Sequence, residues 1–439
     1  MRYKYAEKSD VGGRAMQMEM PRIVRVRQVF ERPKVLDVPA ETASEFARLG
    51  LGKRVSGKRV GITVGSRGIA DILPILRALV GLVRANGGEP ILLAAMGSHG
   101  GGTEEGQLAV LRSLGITSSA LDAPVEACAK SLEIGATADG LKAYILETAM
   151  AVDAILPVNR VKVHTAFHGV VESGLYKMLV VGLGGPKGAA QFHGEGSARL
   201  ADLLLGVGDV ILDKMPVIAG FAIVENAYEE TAMIRGVPAS AFRKEEPEIL
   251  DYARSLLPSL PTAKLDALVI EEMGKNYSGT GVDTNVIGRL RIEGVPEPEA
   301  PAIQKIAVLD LSEESHGNAN GIGLMDVTTK KLVDKIDRKA TYLNCETTGF
   351  LMRGATPVFM DTEQEAIELM IRSLGTKPVH ELRMIQIPNT LHLDECYATV
   401  ALLPELRTKE NVEIFGKPEP VTFGERGELV RRILRPAAR

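Results

Sequence analysis

From residue 58 onward the chain repeats one local pattern, and that pattern restricts its fold more than any other feature. A short run of β-branched and aliphatic residues ends in a glycine-rich loop, and an amphipathic helical stretch follows. RVGITV (59–64) ends in Gly65-Ser66-Arg67-Gly68, and ADILPILRALVGLVRAN (70–86) then carries apolar residues at helical spacing as far as Gly87-Gly88. PILLAAM (90–96) ends in Gly97-Ser98-His99-Gly100-Gly101-Gly102. Thr103 there can N-cap a helix whose first turn holds Glu104 and Glu105, where the dipole favours acids. DAILPV (153–158) reads as a third strand. Strand, glycine loop and helix in this order build a doubly wound sheet with functional loops at the carboxyl strand ends. The expected class is α/β.

The pattern resumes after a break. ARLADLLLGVG reads as a helix, PVIAGFAIV (216–224) as a strand, and residues 239–257 as a charged helix. Pro258 and Pro261 then interrupt the chain. DALVIEE (266–272), KIAVLDL (305–311) and MIQI (384–387) read as strands of a second unit, with EQEAIELMIRSLG (363–375) its helix and VPEPEAPA (295–302) a solvated loop. The expectation is two α/β domains, 1–262 and 263–439, with an active-site cleft between them.

Composition removes several function classes. A net charge of -4, without any Lys/Arg-rich run, argues against a nucleic-acid surface. No apolar stretch approaches the roughly 20 residues of a spanning helix, so no membrane partner is expected. The first twenty residues hold no apolar signal core, and Cys128, Cys345 and Cys396 form no CxxC pair. A cytoplasmic protein with reduced thiols is the expectation.

The chain has only 7 histidines, and His99, His164, His168 and His193 fall in its first half, three of the four touching glycine-rich sequence. Histidine gives and takes protons near neutral pH, so a cluster at strand ends suits acid–base work. Any one of them alone is more simply a loop histidine bonded to its own turn. His316, His380 and His392 lack such context and are read as structural. Arg67 stands at the end of the first strand, where a guanidinium and free helix N–H groups bind a carboxylate or phosphate. The simpler reading pairs it with Asp71. The segment 159–196 adds Lys177 and Lys187 among many glycines, whose density lets backbone approach a large ligand. A lysine between apolar neighbours suits a depressed pKa or a covalent cofactor link, against a snorkelling surface lysine. His193 suits a metal whose other ligands come from a cofactor, against a helix cap.

In order and approximate spacing these residues resemble the nickel-dependent lactate racemases. The likeness runs through the Arg67 loop, GSHGGGTEEG (97–106), KVH, SGLYK, GLGG and FH, and more loosely Asp283-Thr284-Asn285. It implies that Lys177 holds pyridinium-3,5-bisthiocarboxylic acid mononucleotide through a thioamide, and that His193 completes the coordination of its nickel. His99 and His164 would be paired general acid/base residues, and Arg67 would bind the carboxylate of a small-molecule 2-hydroxy acid. Cofactor-synthesis enzymes become expected partners, with a symmetric homodimer the default assembly.

Departures fall on the substrate side. The histidine loop reads HGGG, and a longer segment before Lys177 leaves His168 a rival to His164. VIGRLR follows the D-x-N turn, placing Arg289 or Arg291 where a basic substrate contact is expected, and the chain has no Trp. The expected function is racemase or epimerase of a 2-hydroxy acid other than lactate, with hydride passing to and from the cofactor through a 2-keto acid. The alternatives are a non-catalytic carrier of the nucleotide or an anionic metabolite, and a metal-dependent hydrolase or lyase, for which HxH and HExxH motifs are missing.

Overall fold

Arg59–Val64 and Glu89–Ala94 are each buried at five of six positions. Unbroken aliphatic runs of this kind need a cover on both faces, and parallel strands flanked by helices provide it. The structure, a computed structural model, describes residues 18–196 and 199–434. Its first sheet has four parallel strands in the order Val125–Glu126, Glu89–Ala94, Arg59–Val64, Ala154–Leu156. Helix Ile72–Ala85 turns Ile75, Leu76, Leu79, Val80 and Val83 into the core beneath. Thr103 caps helix Glu104–Ser113, its side chain accepting from the Gly106 N–H, as the sequence predicts.

DAILPV is two strands. Pro157 has no N–H to give, and the ladder changes partner there. Ala154–Leu156 stays in the four-stranded sheet, while Val158–Arg160 pairs with Ala219–Glu225 in a three-stranded one. The Val158 N–H is satisfied by the Thr63 hydroxyl at 3.0 Å.

The second unit is built on an eight-stranded sheet. Val358–Met360, Val327–Thr329, Ala302–Val308, Lys264–Ile270 and Met384–Ile387 run parallel. Glu395–Thr399, Arg22–Gln28 and Val412–Pro420 continue it antiparallel. The expected span of 1–262 for the first unit therefore fails at its start, because residues 22–28 are a strand of the second sheet. RIVRVRQ alternates exposed and buried positions after its first pair, the pattern of a strand with one wet face. Residues 1–17 lie outside those described.

The chain thus passes between the units twice, after Gln28 and again near residue 259. The buried Gln28 side chain ties the crossings together, donating to the carbonyls of Ser259 at 3.0 Å and Leu393 at 2.8 Å. In each sheet the first parallel strand sits beside one added later from the other direction. Crevices for ligands open at such switch points, outside the carboxyl strand ends. Arg67 follows one such strand and Lys275 the other. Among the described residues no helix is long and apolar enough to cross a membrane.

Candidate active site

The Arg67 loop is held from behind. Glu225 accepts from the Ala70 N–H at 2.7 Å, and Asp71 takes its hydrogen bond from the Thr231 hydroxyl at 2.7 Å. Asp71 is therefore used elsewhere, and the simple Arg67–Asp71 pairing is not found. Arg67 faces crowding and the charge of Arg160, both of which lower its pKa.

His99 meets this loop directly, with Nδ1 2.6 Å from Ser66 Oγ. That contact leaves Nε2 as the ring nitrogen able to act on a ligand. Surrounding protein, then Arg67, Lys177, His193 and Lys275, pull the His99 pKa down to about 4. Gly97 is what lets the loop come so close: its φ is +60°, and a Cβ there would meet Val181 O at 3.1 Å. The three glycines after His99 are a 3-10 turn. They form a tight turn against the next helix, where a Cβ on Gly100 would lie 2.4 Å from Gly106 backbone.

His164 lies in a loop, 162–173, closed at its base by paired backbone bonds between Lys162 and Ser173. The loop is knotted around Glu172, which is fully buried. Its carboxylate accepts from the N–H groups of His164 at 2.5 Å and Gly169 at 3.3 Å, and from Arg254 at 3.3 Å. His168 turns to the outside and packs its Nδ1 3.3 Å from Glu172. His164 instead faces Lys177, Lys162, His193 and Arg353, which together with burial push its pKa well below the usual value. His164 is the buried one of the two, near Lys177, while His168 is the more exposed. The Ala166 N–H donates to His164 Nδ1 at 3.1 Å, so the neutral ring carries its proton on Nε2.

Lys177 ends the short helix Leu175–Lys177, and a π-helical stretch, Met178–Leu183, follows at once. Such wide turns are rare and occur often at functional sites. Burial, Arg67 and Lys162 draw the Lys177 pKa down to about 7, with Glu172 opposing. Its ammonium sits 5.7 Å from the centroid of Phe192, whose ring is 5.2 Å from that of His193. Burial and Lys177 lower His193 to about 4. Phe167 joins this floor, 4.4 Å from His164 and 5.9 Å from Phe192 between centroids. Lys187 points elsewhere, over Tyr144.

The glycines between Lys177 and His193 serve packing more than ligand access. A Cβ on Gly182 would lie 2.9 Å from Ala95 O, and one on Gly184 or Gly188 would collide with Val180 O. They bring the lysine-bearing segment against the strand end that leads to His99. Beneath Lys177 sits the buried Glu246, which accepts from the Tyr176 N–H at 3.0 Å and has no partner for Oε1 among the described residues. Burial raises its pKa to about 8, so it is a neutral acid at neutral pH.

The second unit closes on this loop through the D-x-N turn. Thr284 donates to Thr165 O at 2.9 Å and Asn285 to His164 O at 3.3 Å. Arg353, only 2% exposed, bridges Leu290 O and Thr165 O at 3.1 Å each. Arg289 and Arg291, the expected basic substrate contacts, are engaged within the second unit. Arg289 is held by Asp326 at 2.7 Å and by the carbonyls of Leu324, Ile303 and Gln304. Arg291 shares Asp326 at 3.2 Å. The cation this unit does bring to the cleft is Lys275, beside Arg67, with its pKa lowered by burial to about 7. A lysine in the loop after the strand Lys264–Ile270 was a readable signal, by the same strand-end argument that selected Arg67.

Arg67, His99, His164, Lys177 and His193 thus converge, joined by Lys162 and Lys275. The site gathers basic side chains whose pKa values are lowered by burial and by one another, and its histidines are neutral. Among the described residues no group of three or more His, Cys, Asp or Glu side chains is placed to hold a metal ion.

A fold search over solved structures brings out the lactate racemase apoprotein from Thermoanaerobacterium thermosaccharolyticum. It covers 84% of this chain and 99% of that one, with a TM-score of 0.54 and 11% sequence identity. The two chains share a fold. No protein-family model matches the sequence, and no curated protein does. At such low identity the likeness concerns architecture, and chemistry has to be argued from the side chains.

Proposed function

We propose that the protein is a lactate racemase-like isomerase that interconverts the stereoisomers of a 2-hydroxy acid. The observation that carries this reading is the meeting of two neutral histidines, an arginine and a pKa-lowered lysine in one cleft of a chain with that fold.

The residues fit the nickel-pincer nucleotide of that family. Lys177 is partly deprotonated near neutral pH and is therefore a competent nucleophile for an amide-type link. His193 is a neutral imidazole able to coordinate, and as a single donor it suits a metal whose other ligands arrive with the cofactor. Arg67 and Lys162 add positive charge for an anionic nucleotide or substrate. When bound, that group supplies hydride acceptance and return at the substrate α-carbon.

The chain's own residues do the rest. Arg67 binds the carboxylate, a task its planar fork suits. His99 takes the hydroxyl proton at Nε2, and its low pKa keeps it free to do so across the neutral range. His164, with its proton on Nε2, hydrogen-bonds the substrate oxygen. For the opposite stereoisomer the histidines exchange roles, which requires His164 to release the Ala166 N–H. Phe167 and Phe192 keep the floor apolar and exclude water.

The test is chiral chromatography after incubating cofactor-loaded protein with single enantiomers of several 2-hydroxy acids. Appearance of the other enantiomer is expected. Binding without turnover, surviving His99→Ala and His164→Ala, would instead establish a carrier.

A further inference from the structure

Lys275 comes to the cleft from the second unit, and neither the acid–base pair nor the cofactor link uses it. Its Nζ donates to Gly279 O at 2.7 Å and to Asn344 Oδ1 at 2.6 Å, both neutral acceptors. Asn344 is held in turn by Asn318, whose side chain donates to the same oxygen at 3.2 Å. The Lys275 backbone is pinned by Ser315 Oγ, which accepts from its N–H at 2.9 Å. The amine is thus held by neutral acceptors, with no acid paired to it among the described residues.

Arg67 reaches the same place from the other unit. Its Nη2 would lie 3.9 Å from a Cβ on Gly279, the residue whose carbonyl Lys275 holds. The charges felt at Lys275 are those of Arg67, Cys345 and Arg353. Those felt at His193 come from Lys177. His99 feels the charges of both groups. Beside Arg67 the Lys275 amine holds its proton loosely, and an anion seated between the two favours the charged form of both.

We propose that Arg67 and Lys275 form a two-cation clamp for a substrate with a second anionic group, so that the substrate class is a 2-hydroxy dicarboxylic acid. One carboxylate needs only Arg67; a second explains a lysine fixed in place by neutral partners on the facing unit. The inference rests on the racemase reading only in giving Arg67 to the substrate. An anionic oxygen at Lys275 has another source, the phosphate of the nucleotide, and the experiment separates the two.

Isothermal titration calorimetry on the full chain, with malate and lactate as probes, reads the clamp without turnover. Malate is expected to bind more tightly, and Lys275→Met to cut the malate-to-lactate affinity ratio about tenfold, the scale of one charge-assisted hydrogen bond. Lys275→Arg keeps the ratio. Lys275→Gln, which retains a donor for Gly279 O or Asn344, loses it and serves should the Met variant fail to fold. A ratio unchanged in both uncharged variants overturns the clamp; if those variants also lose affinity for inorganic phosphate, Lys275 belongs to the nucleotide. Should the ratio depend on Lys275 while loaded protein leaves malate enantiomers unconverted, the clamp stands and the racemase reading falls.

Discussion

The side-chain amide of Asn285 donates to the backbone carbonyl of His164 across 3.3 Å, joining the second unit to a proposed acid–base residue of the first. Glu172 holds the N–H of the same residue from the opposite direction. His164 is therefore placed by two elements far apart in sequence, and its ring position depends on the closure of the cleft.

That relationship predicts a positioning effect. Asn285→Ala should lower kcat on the order of tenfold or more, because a small misplacement of a reacting group is costly. KM should move less, since the Arg67 carboxylate site is untouched. Steady-state kinetics checks the split, and a change in KM alone would count against it.

The histidines should separate cleanly. His99→Ala and His164→Ala are each expected to lower turnover by about 10² to 10⁴, the usual contribution of a placed acid or base. His168→Ala should fall within a few-fold of the parent, because its ring faces Glu172 and solvent. Chiral turnover assays on the three variants decide it; equal losses at His164 and His168 would reopen the choice.

Arg289 and Arg291 should matter for stability. Arg289 and Asp326 are largely buried together, and removing Arg289 leaves the carboxylate only the more distant Arg291 as a charged partner. Arg289→Ala is expected to cost about 3 kcal/mol and to lower Tm by several degrees, while leaving substrate affinity near that of the parent. Arg291→Ala should cost less, its side chain being more exposed. Thermal melts beside binding measurements distinguish this from a substrate role.

Glu246 gives a pH prediction. Its folded pKa of about 8 lies above the unfolded carboxyl range, so the folded state binds the extra proton. The stability this contributes is full below the unfolded pKa and is lost as pH rises through the folded one. Glu246→Gln, which stays neutral, should therefore gain on the parent between about pH 5 and pH 8, by up to about 4 kcal/mol. Denaturant melts at pH 5 and pH 9 test it, and a constant difference at both would contradict the assignment.

Much of this was legible because its signals are local. The strands ending at Val64 and Ala94, the helix between them and the Thr103 cap each follow from a few neighbouring residues. Arg67, His99, Lys177 and His193 all sit on strand-end loops or on the segment that packs against them, so pattern led to them. What stayed hidden depends on distant partners. RIVRVRQ joins strands from the far end of the chain, and no local period reveals that. Arg289 and Arg291 carry the right chemistry for a substrate contact, yet Asp326, far along the sequence, claims both. The glycines after Lys177 looked like room for a ligand, and the backbone of Val180 and Ala95 fills that room.

The central claim is that Lys177 carries the cofactor and His193 meets its metal. Peptide-mapped mass spectrometry, on protein coexpressed with the cofactor-making enzymes, tests it most directly. An adduct of the nucleotide's mass is expected on the peptide containing Lys177, absent from Lys177→Ala. An unmodified Lys177 in protein from cells that load a known lactate racemase would contradict it.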